Sequence, residues 1–162
     1  MKPDCKDYAV KLLAVKDRTE KELRDKLIEK HYTTEEIDAA IESMASYGYI
    51  NDRAYAEKYL KDGLNVRGHG EGRIKTELLR RGVSRETVEE VLSEIEPELG
   101  AERMSEIFDR RFANADLSSP KERNRIFGYF ARRGFAPHEI WSLINRKSAF
   151  KDIEDIGWED LP

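Results

Sequence analysis

The chain has 162 residues, carries a formal charge of −4, and divides almost evenly between charged (38%) and apolar (39%) side chains. No stretch is apolar and long enough to span a bilayer, and no signal-peptide pattern opens the sequence, so the expectation is a cytoplasmic protein without membrane segments. Cys5 is the one cysteine, which excludes an intrachain disulfide and a cysteine-based metal cluster.

The periodicity is helical throughout: apolar residues fall at i, i+3 and i+4, and no segment alternates, so the fold class is all-α. The first three helices are predicted over Asp4–Val15, Thr19–Lys30 and Thr34–Ser46, with capping boxes at Thr19/Glu22 and Thr33/Glu36. The link Tyr47-Gly48-Tyr49-Ile50-Asn51-Asp52 is short, holds three apolar side chains, and is expected to be packed. Helices over Asp52–Leu64, Glu71–Arg81 and Ser84–Glu94 follow. Ser84 caps the last of these, and Gly82 stands where a left-handed residue ends its predecessor. The loop Arg67-Gly68-His69-Gly70-Glu71-Gly72-Arg73 has neither the preceding strand nor the Lys-Ser/Thr pair of a nucleotide-binding loop. It reads as a flexible connector that lets Arg67 and Arg73 adapt to a partner. Pro97 disfavours continuing the preceding helix. The last set reads Glu98–Phe112, Ser119–Arg133 and Pro137–Arg146, with a third capping box at Ser119/Glu122, prolines 120 and 137 at first helical positions, and Gly134 in the role of Gly82.

These helices repeat. Leu23, Leu27, Ile37 and Ile41 have the same spacing as Ile74, Leu78, Val88 and Leu92, and as Ile126, Phe130, Ile140 and Ile144. Arg80-Arg81-Gly82-Val83 recurs as Arg132-Arg133-Gly134-Phe135 and, more loosely, as Glu29-Lys30-His31-Tyr32. The expected organisation is therefore three tandem three-helix repeats, 1–50, 51–96 and 97–147, followed by an acidic segment, 148–162. A three-helix unit of this size is marginal alone, and stacking on its neighbour supplies the rest.

The stretch Tyr47-Gly48-Tyr49-Ile50-Asn51-Asp52-Arg53-Ala54-Tyr55-Ala56-Glu57-Lys58-Tyr59 resembles the signature of the RecX family. The run Gly70 to Val83 and the upstream Arg18-Thr19-Glu20-Lys21-Glu22-Leu23 are similar to family patterns too. The resemblance covers residues 8–95 well and 98–147 through the repeat. It implies an elongated, curved monomer of stacked repeats. It also implies a role: a non-enzymatic regulator that binds the RecA recombinase filament on single-stranded DNA and usually restrains it.

Charge locates the candidate contacts. Residues 66–147 carry 16 Lys and Arg against 14 Asp and Glu, while 148–162 carry 1 against 5. The segment 121–133 has five basic residues and one acid. In the second repeat Glu77 lies four residues from both Arg73 and Arg81 and is expected to neutralise them. Its equivalent in the third repeat is Tyr129, so Arg125, Arg132 and Arg133 are expected to lack that carboxylate. The partner-binding candidates are Arg67, Arg73, Lys75, Arg80, Arg123, Arg125, Tyr129, Arg132 and Arg133. They suit a carboxylate-rich protein surface, or phosphates with base stacking on Tyr129; the plainer reading makes Tyr129 half-buried packing. The alternative function is direct nucleic-acid binding through the third repeat, with weak single-strand contact. The overall pI of about 5.6 argues against it as the main activity. His31, His69 and His138 lie in different repeats with no second ligand nearby in sequence, so neither a metal nor a cofactor is expected. The acidic end reads as disordered, or as a peptide that folds back through Trp158 onto Arg132 and Arg133.

Overall fold

A computed structural model of the chain describes residues 1–156, by backbone alone from residue 153 onward. Among the described residues, regular structure is helical throughout: α1 (Cys5–Val15), α2 (Glu20–Glu29), α3 (Thr34–Ser46), α4 (Asp52–Asp62), a π-helical turn (Gly63–Arg67), α5 (Glu71–Arg80), α6 (Arg85–Ser93), α7 (Pro97–Arg111), α8 (Pro120–Arg132) and α9 (Pro137–Ile156). No helix of these is long and apolar enough to cross a membrane. The chain divides into two compact units, Met1–Lys61 with Lys75–Glu94, and Asp62–Ile74 with Ile95 onward.

Start signals act at the predicted residues, but of the three predicted capping boxes one is reciprocal and two keep only the hydroxyl cap. Thr33 and Glu36 form a reciprocal capping box, the Thr33 amide donating to Glu36 at 2.8 Å and the Glu36 amide to Thr33 Oγ1 at 3.2 Å. At Thr19 and Ser119 the hydroxyl accepts from the amide three residues on, at 3.1 and 3.4 Å. The carboxylate of Glu122 turns instead to Arg125, where a full charge is available. Pro97 and Pro120 open α7 and α8, where their missing N–H costs no helical bond.

The repeated quartets are the interior. Eleven of their side chains are buried and the twelfth, Leu92, is half-buried. Burying a Leu, Ile or Phe fully stabilises by roughly 1.5–3 kcal/mol, so these positions carry much of the folding drive. In the first unit they pack with Cys5, Ala9, Ala40 and Met44. In the second they pack with Met104, Ile107, Phe108 and Leu143.

The middle helix of each set ends in the same turn. The amides of Tyr32, Val83 and Phe135 donate to the carbonyls of Leu27, Leu78 and Phe130, five residues back, at 3.4, 3.1 and 3.2 Å. All three donors bury their side chains, as this type of C-terminal cap prefers. The turn needs one left-handed residue. Gly82 and Gly134 supply it at φ 93°, and His31 takes the same place at φ 60°.

Two of those turns, at Gly82 and Gly134, are also joints. In the first unit the buried Thr19 hydroxyl donates to the Arg81 carbonyl at 2.6 Å. In the second, the Gly70 amide donates to the Arg133 carbonyl at 2.7 Å, and the Gly72 amide to Gly134 at 3.1 Å. The backbones here nearly touch: a Cβ on Gly70 would lie 2.5 Å from Gly134, and one on Gly134 would lie 2.9 Å from Arg73 Cα and closer to its nitrogen. The glycine-rich loop is therefore clamped, with Gly68 and Gly70 buried, and is not the flexible connector that its composition predicts.

Two further expectations change. Of the three apolar side chains in the link 47–52 only Ile50 is buried; Tyr47 and Tyr49 are 70% and 60% exposed, because the turn at Gly48 directs one apolar side chain of the three into the core. Helix α9 continues past Arg146 to Ile156, so part of the acidic segment 148–162 is helical. Trp158 and its proposed fold-back lie outside the described residues.

Glu77 spends its carboxylate differently from expectation. It bonds Arg80 and Arg81 and leaves Arg73, since the helix end brings the two C-terminal guanidiniums to it. Arg81 also donates to Tyr55 and stacks on Tyr59 at 4.6 Å. Hydrogen bonds from Arg80, with a second contribution from Arg81, hold the Glu77 carboxyl down at about 2, against an ordinary 4.5.

Three substitutions test the joint by urea unfolding. Gly134→Ala is expected to cost at least ~2 kcal/mol, from a left-handed alanine and displacement of Arg73. Gly100→Ala, in α7 with open space around it, is expected to gain about 0.5–1 kcal/mol. His31→Gly is expected to gain up to ~1 kcal/mol. Because the Glu77 carboxyl is depressed on folding, its stabilisation is complete above pH 4.5 and is lost as pH falls toward 2. Glu77→Gln should therefore lower the urea midpoint at pH 7 and flatten its fall between pH 4.5 and 2.

Candidate anion-binding site

In the second unit a cleft of about 350 Å³ opens between α7, the end of the π-helical turn and the C-terminal end of α8. Five arginines line it: Arg67, Arg103, Arg110, Arg111 and Arg133. Each arrives for a local reason. Arg103 and Arg110 stand two turns apart on one face of α7. Arg110 and Arg111 occupy the last turn of α7, where cations complement the exposed carbonyls. Arg67 closes the π-helical turn, before left-handed Gly68. Arg133 caps α8 in the turn that also clamps Gly70.

The floor of the cleft is Tyr129 with the buried Ile107. Arg133 and Arg111 both lie over the Tyr129 ring, at 4.6 and 4.8 Å from its centroid. The ring edge packs against Phe112 and Phe130 at 5.2 and 5.3 Å. Each guanidinium gains roughly 0.5–2 kcal/mol from the ring face. Arg133 also donates to the Arg67 carbonyl at 3.0 Å. Arg103 is fastened by the Leu64 carbonyl at 3.1 Å and by Glu106 at 2.9 Å, with its side chain 17% exposed. Two arginines are thus walls with fixed forks, while Arg67, Arg110 and Arg111 are exposed.

Glu106 pairs with Arg103, the most buried of the five guanidiniums. Arg111 and Arg133 share one ring, so their charges lie within roughly 10 Å and repel by about 0.5–2 kcal/mol. An anion placed among these groups replaces repulsion by charge-assisted hydrogen bonds. The equivalent place in the first unit is closed. Shifted by the 52-residue repeat, Tyr129 corresponds to Glu77, Arg111 to Tyr59, Arg133 to Arg81 and Arg110 to Lys58. There Arg81 meets its own carboxylate and ring, and Lys58 pairs with Asp17 at 2.9 Å. Exchanging aromatic and charge between two helices opens the second copy.

Of the residues singled out from sequence, the structure brings Arg67, Tyr129 and Arg133 together in the cleft. The others are engaged elsewhere. Arg73 lies against Gly134 through its backbone. Lys75 faces Glu89 at 3.7 Å and Arg80 bonds Glu77, both in the first unit. Arg123 donates to Asn145 at 3.0 Å. Arg125 does have a carboxylate, Glu122 at 2.8 Å, one turn before it and outside the comparison with Glu77. Arg132 is exposed, its guanidinium alongside Gly128. Tyr129 is half-buried and its ring is already engaged by two arginines, which compete with base stacking. Arg103, Arg110 and Arg111 were not among the predicted contacts. The signal was present, since Arg111 falls on Tyr59 when the repeats are aligned over α7 as well as α8.

Comparison with known proteins accords with this architecture. The model for the first three-helix domain of RecX matches residues 5–44, and the model for its second three-helix domain matches residues 51–92. The regulatory protein RecX of Clostridium beijerinckii is 31% identical over 154 residues, covering 93% of this chain and 71% of that one. That of Haemophilus influenzae is 34% identical over 146 residues, covering 88% and 94%. The crystal structure of RecX from Lactobacillus salivarius superposes with a TM-score of 0.78 at 24% identity, over 90% of this chain and 95% of that one, and shows the shared fold. With both domain models matched in order and relatives aligned along most of its length, this chain belongs to the RecX family of regulatory proteins.

Proposed function

We propose that the chain is a cytoplasmic, monomeric regulator of DNA recombination and repair. It binds the RecA filament on single-stranded DNA and modulates, usually by inhibition, its assembly, ATP hydrolysis and strand exchange, acting by binding and not by catalysis. Family membership supports the choice of partner. The observation that carries the surface is the exchange that gathers five arginines around one cleft, with Tyr129 between Arg111 and Arg133 where the sister helix has a carboxylate. A filament offers the same acidic surface again and again, so the cationic cleft of each bound molecule meets an equivalent acceptor along its length. Arg67, Arg110, Arg111 and Arg133 form the primary contact, Tyr129 orients two of them, and Arg73, Arg123, Arg125 and Arg132 extend it over the second unit. Lys75 and Arg80 are secondary contacts, because their charges are met by Glu89 and Glu77. With the Tyr129 ring engaged by two arginines, any contact with single-stranded DNA is weak and made through phosphates.

Co-sedimentation with RecA filaments tests this. Reversing both charges in Arg110→Glu/Arg111→Glu is expected to weaken binding at least ~10-fold, while Lys58→Glu/Lys61→Glu, on α4, changes it by less than ~3-fold. Equal losses in the two variants, with matched melting temperatures, would sink the assignment of the cleft.

A further inference from the structure

We infer that the arginine cleft is a binding site for a compact cluster of phosphates, of the size of a di- or triphosphate group, whatever base or sugar is attached. The inference concerns the cleft itself and stands apart from the filament reading.

The observations are chemical. All five cations at the cleft are arginines and none is a lysine. A guanidinium presents a planar fork of donors that matches phosphate oxygens two at a time, and it stays charged at every relevant pH. Two of the forks are fixed in advance: Arg103 by Leu64 and Glu106, Arg133 by the Arg67 carbonyl and the Tyr129 ring. A fixed fork loses little freedom when an anion arrives. Arg111 is steered by the same ring. The volume, about 350 Å³, lies at the small end for ligand pockets and suits a few linked phosphates better than an extended chain.

Specificity follows from what is missing. Among the described residues the one aromatic ring lining the cleft, Tyr129, is overlain by Arg111 and Arg133 and meets Phe112 and Phe130 at near right angles. A nucleobase competes with the two arginines for that ring, so recognition rests on the phosphates. A single orthophosphate engages too few of the five cations to be held well. The same chemistry has two sources, a free polyphosphate or nucleotide and adjacent phosphodiesters of a strand.

Isothermal titration of the full chain at low salt tests the inference, using inorganic tripolyphosphate, orthophosphate, ATP, GTP, a short oligothymidylate and a hexaglutamate peptide. Tripolyphosphate, ATP and GTP are expected to bind within ~3-fold of one another and at least ~10-fold more tightly than orthophosphate or hexaglutamate. Arg110→Gln/Arg111→Gln should weaken tripolyphosphate at least ~10-fold, and Lys58→Gln/Lys61→Gln should leave it unchanged. Displacement of tripolyphosphate by the oligothymidylate at matched phosphate concentration would identify strand phosphodiesters as the source, and its failure a free polyphosphate. Equal binding of hexaglutamate or orthophosphate, or an unaffected Arg110→Gln/Arg111→Gln variant, would overturn the phosphate-cluster site. Loss of filament binding in that variant, with tripolyphosphate binding intact, would overturn this inference and leave the filament reading standing.

Discussion

At each joint the carbonyl that ends one helix accepts a hydrogen bond from the start of another: Thr19 to Arg81 in the first unit, Gly70 to Arg133 in the second. The contact needs close approach, backbone to backbone in the second unit and backbone to side chain in the first, and glycine at the turn permits it. Gly134 meets Arg73, and Gly82 meets the Lys21 side chain, so neither place has room for a Cβ. The joint sets where everything beside it points. Arg133 is both the residue whose carbonyl is clamped and the residue whose guanidinium reaches the Arg67 carbonyl and the Tyr129 ring. The cleft is a by-product of the clamp, and its geometry is as rigid as the clamp is.

The repeats therefore hold a common frame and spend their remaining positions on different surfaces. The buried quartets and the C-terminal turn are preserved in all three sets of helices, down to the five-residue hydrogen bond and its buried donor side chain. The charges are free to vary because they lie outside that frame. In the first unit Arg81 is satisfied by Glu77, Tyr55 and Tyr59. In the second unit two exchanges, Glu to Tyr on the middle helix and Tyr to Arg on the first, turn a closed ion pair into an open cationic cleft. A chain of net charge −4 can still grip an anion, because the field that matters is local.

How much of this was legible in the sequence depended on range. Helices, caps and the twelve core positions are set by neighbours three and four residues away, and their periodicity was plain. The left-handed turns were readable from Gly82 and Gly134, and His31 could be placed by the repeat alone. Contacts across the joint were not readable. A glycine-rich loop has the same composition whether it is mobile or pressed against another backbone, and only the approach of Gly134 to Gly70 tells them apart. Arg67, Tyr129 and Arg133 are legible from local charge and from the repeat of the middle helix, whereas Arg103, Arg110 and Arg111 lie on α7, where the change from Tyr59 to Arg111 shows only when the repeat is extended to the first helix of each set. Glu122 reads from sequence as a capping-box acid, and only the structure shows its carboxylate on Arg125.

The central claim is that Tyr129, by standing where the sister helix has Glu77, leaves the arginines open. It is tested most directly by comparing RecA-filament binding of Tyr129→Glu with Tyr129→Gln. Both variants lose the ring and its packing against Phe112 and Phe130, and they differ in one charge. The account predicts that Tyr129→Glu binds at least ~10-fold more weakly than Tyr129→Gln at equal thermal stability, because the restored carboxylate captures Arg133 and Arg111. Equal binding by the two variants would contradict it.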